Sequence, residues 1–170
     1  MKLKEIALNI AQGYLGKGEE GKNNSGIFIE NCLWGLAEPP ANWCAGFVCL
    51  CYYKATPTFN ESKENFKPTS FPFAYTLSAR SLMNEFRNST RKLSFIEPDT
   101  IEKLEPGDLI FFWRGDKNSW MGHVGIIEEI DNKFILTIEG NKGKFPSVVA
   151  RYYYHVNHIP SLLGFGSVNL

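Results

Sequence analysis

The sequence predicts an α+β fold in which N-terminal helices pack on a C-terminal antiparallel β-sheet. Up to about residue 88, apolar residues recur at intervals of three and four. From Asp108 onward they come in short runs of strand length, separated by turn residues. Helices first and strands second is the order of a segregated α+β domain. With 170 residues, 44% of them hydrophobic and 21% charged, the chain is expected to form a single domain over residues 1–170 with an ample core.

The first element follows from Leu3, Ile6, Ala7, Ile10 and Tyr14, one apolar helical face that ends near Gly16 and Gly18. A polar loop, Glu19 to Gly26, leads into a second helix from Ile27 to Trp34, with Ile27, Asn31 and Trp34 on one side. Pro39 and Pro40 hold the chain extended. Behind them an apolar run from Trp43 to Tyr53 predicts a buried helix reaching about Lys54. Ala55 to Tyr75 carries three prolines among polar residues and reads as a long surface loop bordering a site. Ser78 caps a further helix with Leu82, Met83 and Phe86 on its apolar face, and Asn88 to Thr100 reads as irregular. Pro106-Gly107 is a turn before a strand from Asp108 to Trp113. Arg114 to Gly122 is a polar loop, Arg114-Gly115-Asp116 included. Strands are expected at His123–Ile130, Phe134–Glu139 and Val148–Tyr154.

Cys44 falls at the first turn of the buried helix. A helix N-terminus presents unpaired amides and about half a positive charge, which favours thiolate over thiol. The other cysteines, Cys32, Cys49 and Cys51, read as small core residues. Cys49 and Cys51 point to different sides of a helix, and no C-x-x-C pair suggests zinc, so neither a disulfide framework nor a metal is expected.

A thiolate nucleophile needs a base, and the base needs an orienting group. Of the three histidines, His123 opens a strand between Gly122 and Gly125, glycines that leave room for a substrate; His155 and His158 have no such context. Strand parity supplies the orienter. If Asp131-Asn132-Lys133 is a three-residue loop, Ile130 opposes Phe134, Gly125 opposes Glu139 and His123 opposes Asn141. A two-residue loop would turn Glu139 to the other face. Cys44, His123, Glu139 and Asn141 are therefore the candidate catalytic residues.

The blocks NWCAGFV, PGDLIFF, GHVGII and TIEGN, in that order, resemble the CHAP domain, the cysteine, histidine-dependent amidohydrolase/peptidase family, a relative of the NlpC-type peptidases. The resemblance runs from the first helix to about Tyr154. It implies a papain-like fold and hydrolysis of an amide in bacterial peptidoglycan, by an N-acetylmuramoyl-L-alanine amidase or a peptide endopeptidase. Cys44 would attack the carbonyl, His123 would carry the proton, Glu139 would orient the imidazole and Asn141 would add polar support. Many relatives carry glutamine or aspartate where this chain has Trp43, which leaves the Cys44 amide as the oxyanion donor in view. Ser78-Ala79-Arg80 also looks like a family feature, without an assigned role. Trp43, Trp113 and Trp120 flank these blocks; they either stack on sugar or stem peptide, or anchor core and loops.

A net charge of zero gives no footprint for nucleic acid, and no apolar run is long enough to insert in a membrane. The start, Met1 to Glu5, does not read as a signal peptide. The expectation is a cofactor-free monomer made in the cytoplasm, reaching the cell wall as a phage lysin or as an effector with a delivery or immunity partner. Two other readings stay open on the same scaffold: a wall- or protein-binding module without turnover, and an amidase acting on a small amide such as a glutathione–polyamine conjugate.

Overall fold

The computed structural model describes residues 1–56, 71–89 and 92–170. Most of the long loop expected before Tyr75 lies outside them. Four helices come first: α1 (Leu3–Gly13), α2 (Ile27–Leu33), α3 (Cys44–Ala55) and α4 (Ala79–Asn88). Strands β1 (Leu93–Ile96), β2 (Leu109–Trp113), β3 (Gly122–Ile130), β4 (Phe134–Glu139), β5 (Ala150–His155) and β6 (Leu162–Val168) follow. They form one antiparallel sheet in the order β1-β6-β2-β3-β4-β5.

Every α3 residue except Lys54 is buried, as its apolar density requires. α1 turns a slightly different stripe inward than its periodicity suggests: Leu3, Lys4, Ala7, Leu8 and Ala11 are buried, while Ile6, Ile10 and Tyr14 are half-covered. Lys4 is drawn in by partners. Its ammonium meets Asp108 Oδ1 at 2.8 Å and Glu105 Oε2 at 2.7 Å, and donates to Ser167 Oγ at 3.0 Å, tying α1 to the sheet. In α2, Ile29, Cys32 and Leu33 face the core, whereas Ile27 and Asn31 face solvent. The short helix is anchored by its C-terminal half against α3. Ser78 Oγ accepts from the Ser81 amide and starts α4 as expected.

The sheet separates two apolar clusters. Leu109, Phe111, Val124, Ile126 and Ile138 pack beneath the helices. Ile110, Phe112, Ile127, Ile135 and Phe165 fill the other face. This alternation is the period-two pattern of strands buried on both sides.

Two strands escape the sequence reading. β1 lies inside the stretch taken as irregular. β6 pairs with both β1 and β2 in the interior of the sheet. Its glycines make it look unlike a strand, yet a Cβ at Gly166 would lie 2.6 Å from the Phe86 ring, so the glycine makes room for α4.

The β3–β4 hairpin settles the parity question in an unexpected way. The expected three-residue loop is not formed. Ile130 pairs with Ile135, and the Asp131 amide donates to Phe134 O, leaving an even loop. The Asp131 carboxylate tightens it by accepting from the amides of Lys133 and Phe134. The register then shifts between Ile127 and Glu129, so that Ile127 pairs with Thr137 and Ile126 with Ile138. Glu128 is the extra residue of a β-bulge, which restores parity. It accepts from Gln12 Nε2 and from Arg151 Nε and Nη2, which hold the bulge from α1 and β5.

Candidate active site

His123 is paired with Phe112 across β2–β3 and is 3% exposed. Its Nε2 lies 2.7 Å from Glu139 Oε2, and the carboxylate is completely buried. A buried carboxylate must be satisfied. Thr137 Oγ1 donates to Oε1 at 2.6 Å, the Tyr154 hydroxyl donates to Oε1 at 2.7 Å, and Lys142 Nζ lies 3.3 Å from Oε2. Burial alone would raise the Glu139 pKa. The His123 hydrogen bond and charge, then Lys142 and Thr137, outweigh it and bring it to about 2. Glu139 is thus an anion that accepts from Nε2–H, which leaves the lone pair of His123 on Nδ1.

Cys44, 3% exposed, is the first residue of α3, and its thiol lies near enough to the imidazole for each to shift the other's titration. Burial would push this thiol up. Attraction to His123, the charge of Arg114 and the Ala45 amide together hold it below its ordinary value. The three other cysteines provide an internal contrast, because they are buried too and neither an imidazole nor a guanidinium acts on them. Burial pushes Cys49 up to about 12 and drives Cys32 and Cys51 upward as well. For His123 burial works downward, but the hydrogen bonds and charges of Cys44 and Glu139 raise it.

The structure therefore brings Cys44, His123 and Glu139 together. Asn141 sits elsewhere than expected. It adopts a left-handed backbone conformation, φ 59°, just past β4. Its side-chain amide donates to Asn42 Oδ1 at 3.2 Å, with no hydrogen bond to the imidazole. The turn at Asn141 ends the strand register before its side chain can oppose His123.

Trp43 is corrected outright as a substrate contact. It is 0% exposed, lies edge-on to Phe28, and donates from Nε1 to the buried Glu19 Oε1. Its ring fills the space a Cβ at Gly140 would take. Trp43 anchors the start of α3. Trp113 packs against the main core and is absent from the cleft lining. Trp120, 79% exposed, does line the cleft.

That cleft, about 370 Å³, is lined by Asn42, Cys44, Leu77, Arg114, Trp120 and Met121, with Ser78, Ala79 and Gly122 at its edges. Arg80 holds one wall, donating to Met121 O at 3.2 Å and Lys117 O at 2.7 Å, which gives the Ser78-Ala79-Arg80 block a role in placing the Trp120 loop. The glycines around His123 serve the protein's own packing. A Cβ at Gly125 would lie 2.5 Å from Glu139 Cγ, and one at Gly122 would meet Phe112 O and Arg80 at 3.2 and 3.3 Å. The room attributed to substrate at Gly125 is filled by the Glu139 side chain.

Sequence reasoning missed Arg114, Thr137 and Tyr154. Arg114 Nη2 lies 2.8 Å from His123 Nδ1 and donates to Asn141 O at 3.0 Å. Thr137 was legible by parity, since it shares a strand face with Glu139. Among the described residues no group of three His, Cys, Asp or Glu gathers to hold a metal ion, and no helix is long and apolar enough to cross a membrane.

Among solved structures, the chain is similar to the crystal structure of Ly7917 (TM-score 0.48, 16% identity) and to that of Ly7917 with the hydrolyzing product of MDP (TM-score 0.46, 14% identity). Each alignment covers 97% of this chain and 62% of Ly7917, so the chain spans less than two thirds of that protein. No curated protein matches it in sequence. The family model of the CHAP domain matches residues 37–141, which contain Cys44, His123 and Glu139, and the chain belongs to the CHAP domain family.

Proposed function

We propose that the protein is a peptidoglycan hydrolase, an N-acetylmuramoyl-L-alanine amidase or a peptide endopeptidase, working through a cysteine acyl-enzyme. The observation that carries this reading is the placement of the Cys44 thiol in a cleft and beside His123, whose ring is held by the buried Glu139 carboxylate. The Cys44 proton passes to His123 Nδ1. The thiolate attacks the amide carbonyl, and the imidazolium returns the proton to the leaving amine. Water, deprotonated by His123, then releases the acid. Glu139 keeps Nε2 protonated and the ring oriented throughout.

The oxyanion needs donors beside Cys44. The Cys44 amide, at the first turn of α3, is one. The Asn42 side chain is the second: it lines the cleft, and its Oδ1 is taken by Asn141 Nδ2, which turns its own amide nitrogen away from Asn141. Asn141 is then a positioning residue for Asn42 rather than for the imidazole. Residues 1–170 act as one catalytic domain whose target is the cell wall, and Trp120 contributes a face to the sugar or stem peptide.

The test is clearing of a peptidoglycan suspension with mass spectrometry of the released fragments. Wild type clears it and yields a free amine at one bond, while Cys44→Ala loses activity by at least about 10³-fold. Equal clearing by the two proteins removes the nucleophile and with it the assignment.

A further inference from the structure

The contact between Arg114 and His123 conflicts with the reaction just described. A guanidinium has donors and no acceptor, so at 2.8 Å it must donate to a lone pair on Nδ1. That lone pair is the one needed to take the Cys44 proton. The two uses of Nδ1 are exclusive: an imidazolium Nδ1–H cannot accept from Arg114. The geometry is that of a neutral imidazole whose basic nitrogen is covered.

Among the described residues Arg114 is also a cation with no carboxylate partner. Its side-chain partners are His123 Nδ1 and the Asn141 carbonyl, and among the described residues it meets no carboxylate. Asp116, two residues on, turns its carboxylate to the Asn118 amide. Among the described residues Arg114 is the one charged side chain lining the cleft, beside Asn42, Leu77, Trp120, Met121 and the Cys44 thiol. Planar guanidinium binds carboxylate through two parallel hydrogen bonds, each stronger than a bond to a neutral acceptor. An incoming carboxylate therefore outcompetes the imidazole for Arg114.

We propose that Arg114 is a substrate-sensing latch, covering His123 Nδ1 in the free protein and moving onto a carboxylate carried by the substrate beside the scissile amide. This deepens the hydrolase reading and rests on it for the identity of the amide. When Arg114 moves, the Cys44 S–H bond breaks and an Nδ1–H bond forms, giving thiolate and imidazolium, while Nε2–H stays on Glu139. The preferred substrate is a peptide whose acidic residue keeps its carboxylate, over the same peptide with a carboxamide there.

Two experiments test this. The first needs no turnover. Cys44 is alkylated with iodoacetate, an anion, or iodoacetamide, its neutral counterpart, and the rates are read by mass spectrometry. The ratio of iodoacetate to iodoacetamide rates should fall about tenfold from wild type to Arg114→Gln, with Arg114→Lys in between, because lysine keeps the charge but loses the fork. Equal ratios in wild type and both variants overturn the latch. The second compares kcat/KM for two muropeptides differing only in carboxylate or carboxamide beside the cleaved bond. Wild type should prefer the carboxylate about tenfold, and Arg114→Gln should lose that preference. Cleavage of both muropeptides without preference overturns the latch and leaves the hydrolase standing. An alkylation ratio that responds to Arg114, with neither muropeptide cleaved, sinks the hydrolase and keeps the carboxylate site. A Cys44 that takes neither reagent removes both.

Discussion

The Tyr154 hydroxyl, from β5, donates at 2.7 Å to the Glu139 oxygen that His123 leaves free. Together with Thr137 it holds the carboxylate from the side away from the imidazole. Tyr154→Phe keeps the ring packed on Phe112 and deletes this donor together with the oxygen that accepts from Lys142 Nζ. It should cost about 1–3 kcal/mol, the range for a hydrogen bond to a buried charged group. Urea unfolding monitored by circular dichroism measures it, and a change below a few tenths would show that Thr137 suffices alone.

Glu139→Gln replaces the anion with an amide of the same shape. The amide can no longer stabilise the imidazolium, and it accepts Nε2–H more weakly. Hydrolysis should fall by about 10²–10⁴-fold in kcat, with little change in KM, as when the third member of a triad loses its charge. Cys44 alkylation at neutral pH should slow in parallel. Unchanged alkylation would mean that the carboxylate does not tune the thiol.

The depressed Glu139 pKa also makes a statement about acid stability. Its folded value of about 2 lies below its ordinary 4.5. A carboxylate shifted in this direction stabilises the fold fully above the unfolded value and loses that contribution as pH falls through the folded one. The difference, 4.5 less about 2, is worth about 3 kcal/mol at about 1.4 kcal/mol per unit. Thermal melts of wild type should therefore decline between about pH 4.5 and pH 2 more steeply than those of Glu139→Gln. Parallel declines would place the acid sensitivity in other carboxylates.

Gly125→Ala puts a methyl 2.5 Å from Glu139 Cγ, well inside contact distance. The buried carboxylate must shift to accept it. Overpacking of this kind typically costs about 1–3 kcal/mol. Activity should suffer beyond that, because the displaced group is the one holding His123. The informative comparison is kcat against melting temperature: a variant that melts early but keeps full kcat would show that Glu139 need not hold its place.

Much of this was legible in the sequence because local patterns and burial agreed. The run from Trp43 to Tyr53 could only be a buried helix, and its first cysteine inherits the position. The strands from Asp108 to Glu139 announce themselves through apolar runs and turn residues. β6 did not, because its glycines look like loop until the Phe86 ring above them is known. Trp43 was open to two readings because an aromatic beside a nucleophile looks alike whether it faces substrate or core; the buried Glu19 that receives its indole lies 24 residues away. Arg114 was hidden for the opposite reason. An arginine in a polar loop is ordinary, and its meeting with His123 arises from the pairing of β2 and β3. Asn141 failed by one turn: strand parity was carried one step past the end of β4.

The bulge at Glu128 uncouples the two ends of the hairpin. Slippage or strain introduced at the solvent-facing tip is absorbed at that extra residue, pinned from both sides, before it can travel to position 123. The tip is accordingly the place where a tag, a linker or an inserted targeting peptide can be spliced in, with the reactive end of the ladder insulated from the graft.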